Sequence, residues 1–138
     1  MLVRDVMSDK IITVPPQTNL RECAHQMNQL NVGVLPVSEH GKMIGLITDR
    51  DICCRAIGLG RNPETTSVKD IMTGHVTFCY DDQTCNEAAD LMKTKHIRRL
   101  LVMSRDQRMV GIISVDDLAR YSHDLAGTVL DSTSSICA

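Results

Sequence analysis

Apolar positions along this chain alternate between short β-type blocks and stripes at helical spacing. The blocks Ile11-Ile12-Thr13-Val14 and His75-Val76-Thr77-Phe78-Cys79 are rich in β-branched and aromatic residues and run into Pro15-Pro16 and Asp81-Asp82. Each predicts a strand that ends in a turn. After the first, Leu20, Cys23, Ala24, Met27 and Leu30 fall three and four apart, which predicts a helix with one apolar stripe. Asn19 stands where its side chain caps that helix, with Glu22 at the third helical position. After the second, Thr84-Cys85-Asn86-Glu87 is a capping-box pattern. Ala88, Leu91, Met92 and Lys95 then mark one face, where the Lys stem is expected to lie along the core.

Each half continues with two short apolar runs. Val32-Gly33-Val34-Leu35-Pro36-Val37 turns through Glu39-His40-Gly41-Lys42 into Met43-Ile44-Gly45-Leu46-Ile47. Arg99-Leu100-Leu101-Val102-Met103 turns through Asp106-Gln107-Arg108 into Met109-Val110-Gly111-Ile112-Ile113. Runs of this length bounded by turn residues predict paired strands. Each half closes with a helix, over residues 49–57 and 115–125. Gly58-Leu59-Gly60-Arg61-Asn62-Pro63 breaks helical structure and reads as a linker. The tail beyond Gly127, with Ser132-Thr133-Ser134-Ser135, is expected to fray.

The two halves are copies. Val3-Arg4-Asp5-Val6-Met7 returns as Val68-Lys69-Asp70-Ile71-Met72, and Gly45-Leu46-Ile47-Thr48-Asp49-Arg50-Asp51-Ile52 returns as Gly111-Ile112-Ile113-Ser114-Val115-Asp116-Asp117-Leu118. The interval is about 65 residues, so two units of order β-α-β-β-α nearly fill the chain. One copy is too short to bury much surface alone, so the copies are expected to share a core.

Composition narrows the function. At 138 residues the chain has the length of one ordinary domain. Aromatics make up 2% of it (Phe78, Tyr80 and Tyr121), which leaves little to stack on bases, and the net charge of −2 gives no basic field. Nucleic acid is therefore a disfavoured partner. No secretory signal or membrane-length apolar run is visible, so a cytoplasmic protein is expected. The six cysteines form no C-x-x-C pair; reduced thiols are expected, with Cys53 and Cys54 as small hydrophobes on a helix.

The strand-to-helix junctions carry the chemistry. With a strand ending near Ile47, Thr48 falls at the helix N-cap and Asp51 at the third helical position; Ser114 and Asp117 repeat this. A helix N-terminus presents unpaired N–H groups and partial positive charge, which suits phosphate. A hydroxyl can bond phosphate or ribose, and a carboxylate can accept both hydroxyls of a ribose diol. Without a ligand, Thr-x-x-Asp and Ser-x-x-Asp are plain capping patterns. Arg50 can reach phosphate or stand as a solvated helix residue. Arg98 and Arg99 carry guanidinium forks that match phosphate oxygens, but neighbours on a strand face opposite sides, so at most one enters a given pocket. No nucleophile elbow, phosphate loop or H-E-x-x-H is present, so no catalytic residue is assigned. A metal site from His and Cys is conceivable, for example His75 with Cys79, but that spacing alone is too weak to assign one.

The order of elements, the Gly-apolar-apolar-Thr/Ser-x-x-Asp runs ending at Asp51 and Asp117, the Val-Arg/Lys-Asp-apolar-Met leaders and Leu35-Pro36-Val37 together resemble the CBS (cystathionine β-synthase) domain family. The whole is similar to a tandem CBS module: repeat 1 over residues 2–57, a linker over 58–66, repeat 2 over 67–125 and a tail over 126–138. The resemblance implies an α+β fold in which two β-α-β-β-α repeats pack about a pseudo-twofold axis and leave two clefts. It implies a non-enzymatic regulatory or sensor module that needs no cofactor and binds an adenine nucleotide such as AMP, ADP or ATP as a regulatory ligand. It further implies a homodimer acting on a separate, unidentified effector protein. By the same resemblance Asp51 and Asp117 grip ribose, Thr48 and Ser114 sit near ribose or phosphate, and the segments with Thr13 and Thr77 supply backbone contacts to adenine. Copy two departs from the pattern in carrying Leu101 where copy one has Pro36. Two other readings stand beside this one: a ligand-free structural or interaction module on the same fold, and a stress-responsive protein that uses its thiols.

Overall fold

The computed structural model describes residues 1–74 and 76–137, the last four as backbone only. In chain order the elements are helices α1 (Val3–Val6) and α2 (Leu20–Leu30), strands β1 (Val34–Glu39) and β2 (Lys42–Thr48), a π-helix (Asp51–Ala56) with a 3-10 turn (Ile57–Leu59), helix α3 (Val68–Ile71), strand β3 (Phe78–Tyr80), helix α4 (Cys85–Lys95), strands β4 (Arg99–Met103) and β5 (Met109–Ser114), and helices α5 (Val115–Tyr121) and α6 (His123–Cys137). They form two compact units, Ile12–Val76 and Met1–Ile11 with Thr77–Ala138. No described helix is long and apolar enough to cross a membrane.

In the unit Ile12–Val76, the Asn19 Oδ1 accepts the Glu22 N–H at 2.8 Å and starts α2. Leu20, Cys23 and Met27 are buried, whereas Ala24 and Leu30 are exposed, so the buried stripe is narrower than the spacing predicted. β1 and β2 form a hairpin whose two loop residues, His40 (φ 53°) and Gly41 (φ 78°), both take positive φ, as a tight hairpin turn requires. The strand expected over residues 11–14 shrinks to one parallel bridge, Val14 with Val37. Val14 donates to the Pro36 carbonyl and accepts from the Ser38 N–H, both at 3.0 Å. Pro15 and Pro16 then have no N–H to extend the ladder. Pro36 itself is tolerated in β1 because its partner Leu46 turns its own N–H and C=O toward Thr73, at 3.0 and 2.9 Å, and asks nothing of Pro36.

The other unit holds a three-stranded sheet in the order β3-β4-β5, with β3 parallel and β5 antiparallel to β4. β3 covers only the end of the block predicted as a strand; His75, at its start, lies outside the described residues. Thr84 and Glu87 form the expected capping box on α4. Ala88, Ala89 and Met92 are buried with Leu91 packed beside them, but Lys95 is exposed rather than laid along the core.

The tail is the main correction. Its described part is helical: α6 runs from His123 to Cys137, packs against α4 and α5, and buries Ala126, Val129 and Thr133. Those positions are three and four apart, one helical stripe hidden among hydroxyl residues. The hydroxyls of Thr128 and Ser132 bond their own helix at the carbonyls of Leu125 (2.8 Å) and Val129 (2.7 Å), which removes their claim on non-helical backbone. The single helix expected over residues 115–125 is broken at Ser122, which is extended (φ −154°, ψ 115°) and caps the start of α6 by accepting the Leu125 N–H at 3.3 Å.

The expected sharing of core between the copies takes a particular form. The described residues form two apolar clusters, one in each unit, and each takes its leader from the other copy. Val3 of the first leader is buried with Cys79, Leu100, Val102 and Ile113 of copy two. Val68 and Ile71 of the second leader are buried with Leu20, Leu35, Val37 and Ile47 of copy one. Each leader then pairs with the unit's last strand: Ser8 exchanges two hydrogen bonds with Ile112 at 2.9 Å, as Thr73 does with Leu46. Both chains pass over a glycine. A Cβ on Gly45 would lie 2.6 Å from the Thr73 carbonyl oxygen, and one on Gly111 would lie 2.6 Å from the Met7 Sδ and 2.7 Å from the Ser8 oxygen.

Candidate functional site

The structure sorts the candidate residues by unit. Thr13, Thr48, Arg50 and Asp51 lie in the unit Ile12–Val76; Thr77, Arg98, Arg99, Ser114 and Asp117 lie in the other.

At the first junction β2 delivers Thr48 to the start of a helical turn. The Thr48 Oγ1 accepts the Asp51 N–H at 3.0 Å, and the Asp51 Oδ2 accepts the Thr48 N–H at 3.1 Å. The Asp49 N–H is taken by the Gly33 carbonyl at 3.0 Å. The second Asp51 oxygen, Oδ1, faces the Arg55 Nη1 at 3.8 Å, and the side chain keeps 14% of its surface exposed. The turn continues as a π-helix in which the Ile57 N–H is shared between the carbonyls of Ile52 and Cys53.

The second junction repeats the construction. The Ser114 Oγ accepts the Asp117 N–H at 3.2 Å, and the Asp117 Oδ2 accepts the Ser114 N–H at 2.9 Å and its hydroxyl at 3.2 Å. The Val115 N–H goes to the Arg98 carbonyl at 2.9 Å, as Asp49 goes to Gly33. The free oxygen, Oδ1, meets the Arg120 Nη1 at 3.2 Å, with 9% of the Asp117 side chain exposed. In both copies one carboxylate oxygen is committed to the cap, and the other is held by an arginine one turn along. That ion pair is the weaker commitment, since its arginine is half or more exposed in each copy and a pair with a solvated partner contributes little. A hydroxyl pair offering hydrogen bonds to a charged oxygen can displace it.

Sequence reading missed Arg55 and Arg120. The signal was present in the Asp-x-x-x-Arg and Asp-x-x-Arg spacings, which bring the side chains together on one helix face.

The remaining candidates are less concentrated. Thr13 is exposed beside Val14, and the half-buried Thr77 accepts the Leu101 N–H on its carbonyl at 3.4 Å. Arg98 donates through Nε to the Thr133 hydroxyl on α6 at 3.1 Å. Arg99 is exposed and stands opposite Ser114 in the β4–β5 register. Arg50 is exposed in a shallow pocket of about 440 Å³ lined also by Asp49, Cys53 and Cys54. Cys53 and Cys54 are exposed, against the expectation that they pack as small hydrophobes. The buried thiols differ: burial pushes Cys23 up to about 11 and Cys79 up to about 12 from the ordinary 9.0, and raises Cys85 as well. Among the described residues no three His, Cys, Asp or Glu side chains gather as a metal set; His75, the weak partner considered for Cys79, lies outside them.

The chain is 35% identical over 134 residues to the CBS domain-containing protein YhcV of Bacillus subtilis, a match covering 96% of this chain and 94% of that protein. Among solved structures it is similar to the conserved CBS domain protein TA0289 of Thermoplasma acidophilum, with a TM-score of 0.87 and 25% identity over 96% of this chain and 75% of that one. It is also similar to the CBS domain pair of protein MJ0100, solved in complex with 5′-methylthioadenosine and S-adenosyl-L-methionine, with a TM-score of 0.78 and 29% identity over 90% of this chain and 97% of that one. The CBS domain model matches residues 3–56 and again 68–124, the two sequence copies with their leaders, and the chain therefore belongs to the CBS domain family.

Proposed function

We propose that this chain is a non-enzymatic regulatory module that binds an adenosine-containing ligand, in the class of AMP, ADP or ATP, at its strand-to-helix junctions. The observation that carries this reading is the doubled aspartate arrangement. Asp51 and Asp117 each hold one oxygen in a cap and offer the other to a displaceable arginine. Ribose hydroxyls are donors that suit that second oxygen, and the vacated Arg55 or Arg120 is then available to a phosphate. The adenosine ligands in the similar MJ0100 structure support the ligand class. Regulation follows if the ligand binds one arrangement of the protein better than another, because only differential affinity shifts an equilibrium. A homodimer and a separate effector protein belong to this reading, and molar mass in solution with and without ligand tests the first.

Calorimetry with AMP, ADP, ATP, 5′-methylthioadenosine and S-adenosyl-L-methionine is the direct test. Asp51→Asn and Asp117→Asn retain an acceptor for the cap but lose the second carboxylate oxygen. Each is expected to weaken binding at its own junction about tenfold or more, from the loss of about 1.5–3 kcal/mol in a hydrogen bond to a charged group. No heat from any of the five ligands at millimolar concentration would end the proposal.

One observation favours the alternative of a ligand-free interaction module: both caps and both ion pairs are complete within the chain itself. Thermal melting separates the two. A ligand that binds only the folded chain must raise the melting temperature with its concentration, and a flat response across the panel selects the ligand-free module.

A further inference from the structure

Among the described residues the thiols fall into two groups. Cys23, Cys79 and Cys85 are buried in the two apolar clusters. Cys53 and Cys54 are exposed neighbours on the π-helix. More residues per turn mean a smaller rotation from each residue to the next, which helps adjacent side chains emerge on one side. Both line the pocket of about 440 Å³ with Arg50 and Asp49. The Asp49 carboxylate is turned back on the helix start, where its Oδ1 accepts the Arg50 N–H at 2.9 Å. The Arg50 guanidinium has no ion-pair partner among the described residues, while Arg55 beside Cys54 is directed to Asp51. Two exposed thiols thus share a surface hollow with one uncommitted cation.

We propose that Cys53 and Cys54 form a thiol-modification site that takes a low-molecular-weight anionic disulfide as a mixed disulfide, with Arg50 receiving the negative charge. A thiol at this site loses its proton to water, and the thiolate attacks one sulfur of the incoming disulfide. A new bond forms between the cysteine Sγ and that sulfur as the old S–S bond breaks. The departing thiolate leaves with the electron pair and takes up a proton from water. The neighbouring cysteine does not resolve the adduct. The peptide between them holds consecutive Cα atoms about 3.8 Å apart, short of the roughly 4.4–6.8 Å that disulfides span, so a Cys53–Cys54 bond closes only as a strained ring. The adduct therefore persists on the turn that also carries Asp51, and the site reports the state of the small-thiol pool. This inference stands apart from the nucleotide reading.

The 138-residue chain carrying Cys137→Ser, a change outside the described side chains, is incubated natively with oxidised glutathione. Intact mass and peptide mapping locate the adduct. One adduct per chain is expected, on the peptide holding Cys53 and Cys54, with none on Cys23, Cys79 or Cys85 until the protein is denatured. The Cys53→Ser/Cys54→Ser double variant is expected to take none. Arg50→Ala is expected to slow the reaction with oxidised glutathione several-fold while sparing the reaction with cationic cystamine. Labelling of the buried thiols at an equal rate, a closed Cys53–Cys54 disulfide, or an Arg50→Ala chain that meets oxidised glutathione at the parent rate would each overturn the proposal.

Discussion

Single glycines show how directly one atom can decide this fold. Gly45 and Gly111 open the two motif runs, and each lies under a leader with no room for a side chain. Their absent Cβ is what lets Thr73 and Ser8 reach the strand edges of Leu46 and Ile112. A methyl at either place meets backbone oxygen, which cannot swing aside as a side chain can. Gly45→Ala and Gly111→Ala are each expected to cost about 1–3 kcal/mol, the usual range for overpacking a filled site, read as a lowered midpoint in urea with an unchanged slope. Gly127 is the opposite case. It lies inside α6 with nothing within 4 Å of a would-be Cβ, so Gly127→Ala is expected to stabilise by about 0.4–1 kcal/mol through the unfolded chain's lost freedom. A Gly127→Ala protein that melts lower would show that α6 is not the helix described.

At the scale of elements, legibility tracked the strength of local signals. The β1–β2 hairpin was visible because His40-Gly41 suits its turn, and α4 because Thr84 and Glu87 cap it. The reciprocal bonds of Thr48 with Asp51 and Ser114 with Asp117 were visible as capping patterns for the same reason. What escaped depended on distant partners. Nothing in the repeat indicates that Val3 packs with copy two and Val68 with copy one. The strand expected at residues 11–14 read well by composition, but two prolines cut its ladder after Val14. α6 was hidden because its stripe of Ala126, Val129 and Thr133 is sparse among serines and threonines. The helix therefore rests on tertiary packing more than on propensity. Val129 is fully buried and Leu130 is 40% exposed, which makes a matched pair. Val129→Ala is expected to lower stability by about 1.5–3 kcal/mol, while Leu130→Ala stays within roughly 0.5 kcal/mol. Equal effects in chemical denaturation would mean that α6 does not pack by this face.

For the molecule as a whole, the buried thiols link its cores to pH. Cys23 lies in one apolar cluster and Cys79 and Cys85 in the other, so alkali acts on both units. Desolvation is the main cause that lifts Cys23 from 9.0 to about 11 and Cys79 to about 12, with smaller contributions from Glu22 and from Cys85 respectively. The folded chain thus holds these protons more tightly than the unfolded chain, whose thiols titrate near 9.0. Below that pH both states keep the proton and the contribution to stability is constant. Above it the unfolded chain releases protons that the folded chain retains, so stability falls as pH rises, until the folded thiols titrate as well. In reducing buffer the melting temperature is expected to decline from about pH 9 upward. Cys23→Ala and Cys79→Ala each remove one such group, so each variant should decline less steeply than the parent across that window, whatever its starting stability. If the two core variants instead track the parent's alkaline slope, the buried thiols are not what couples folding to pH in this window.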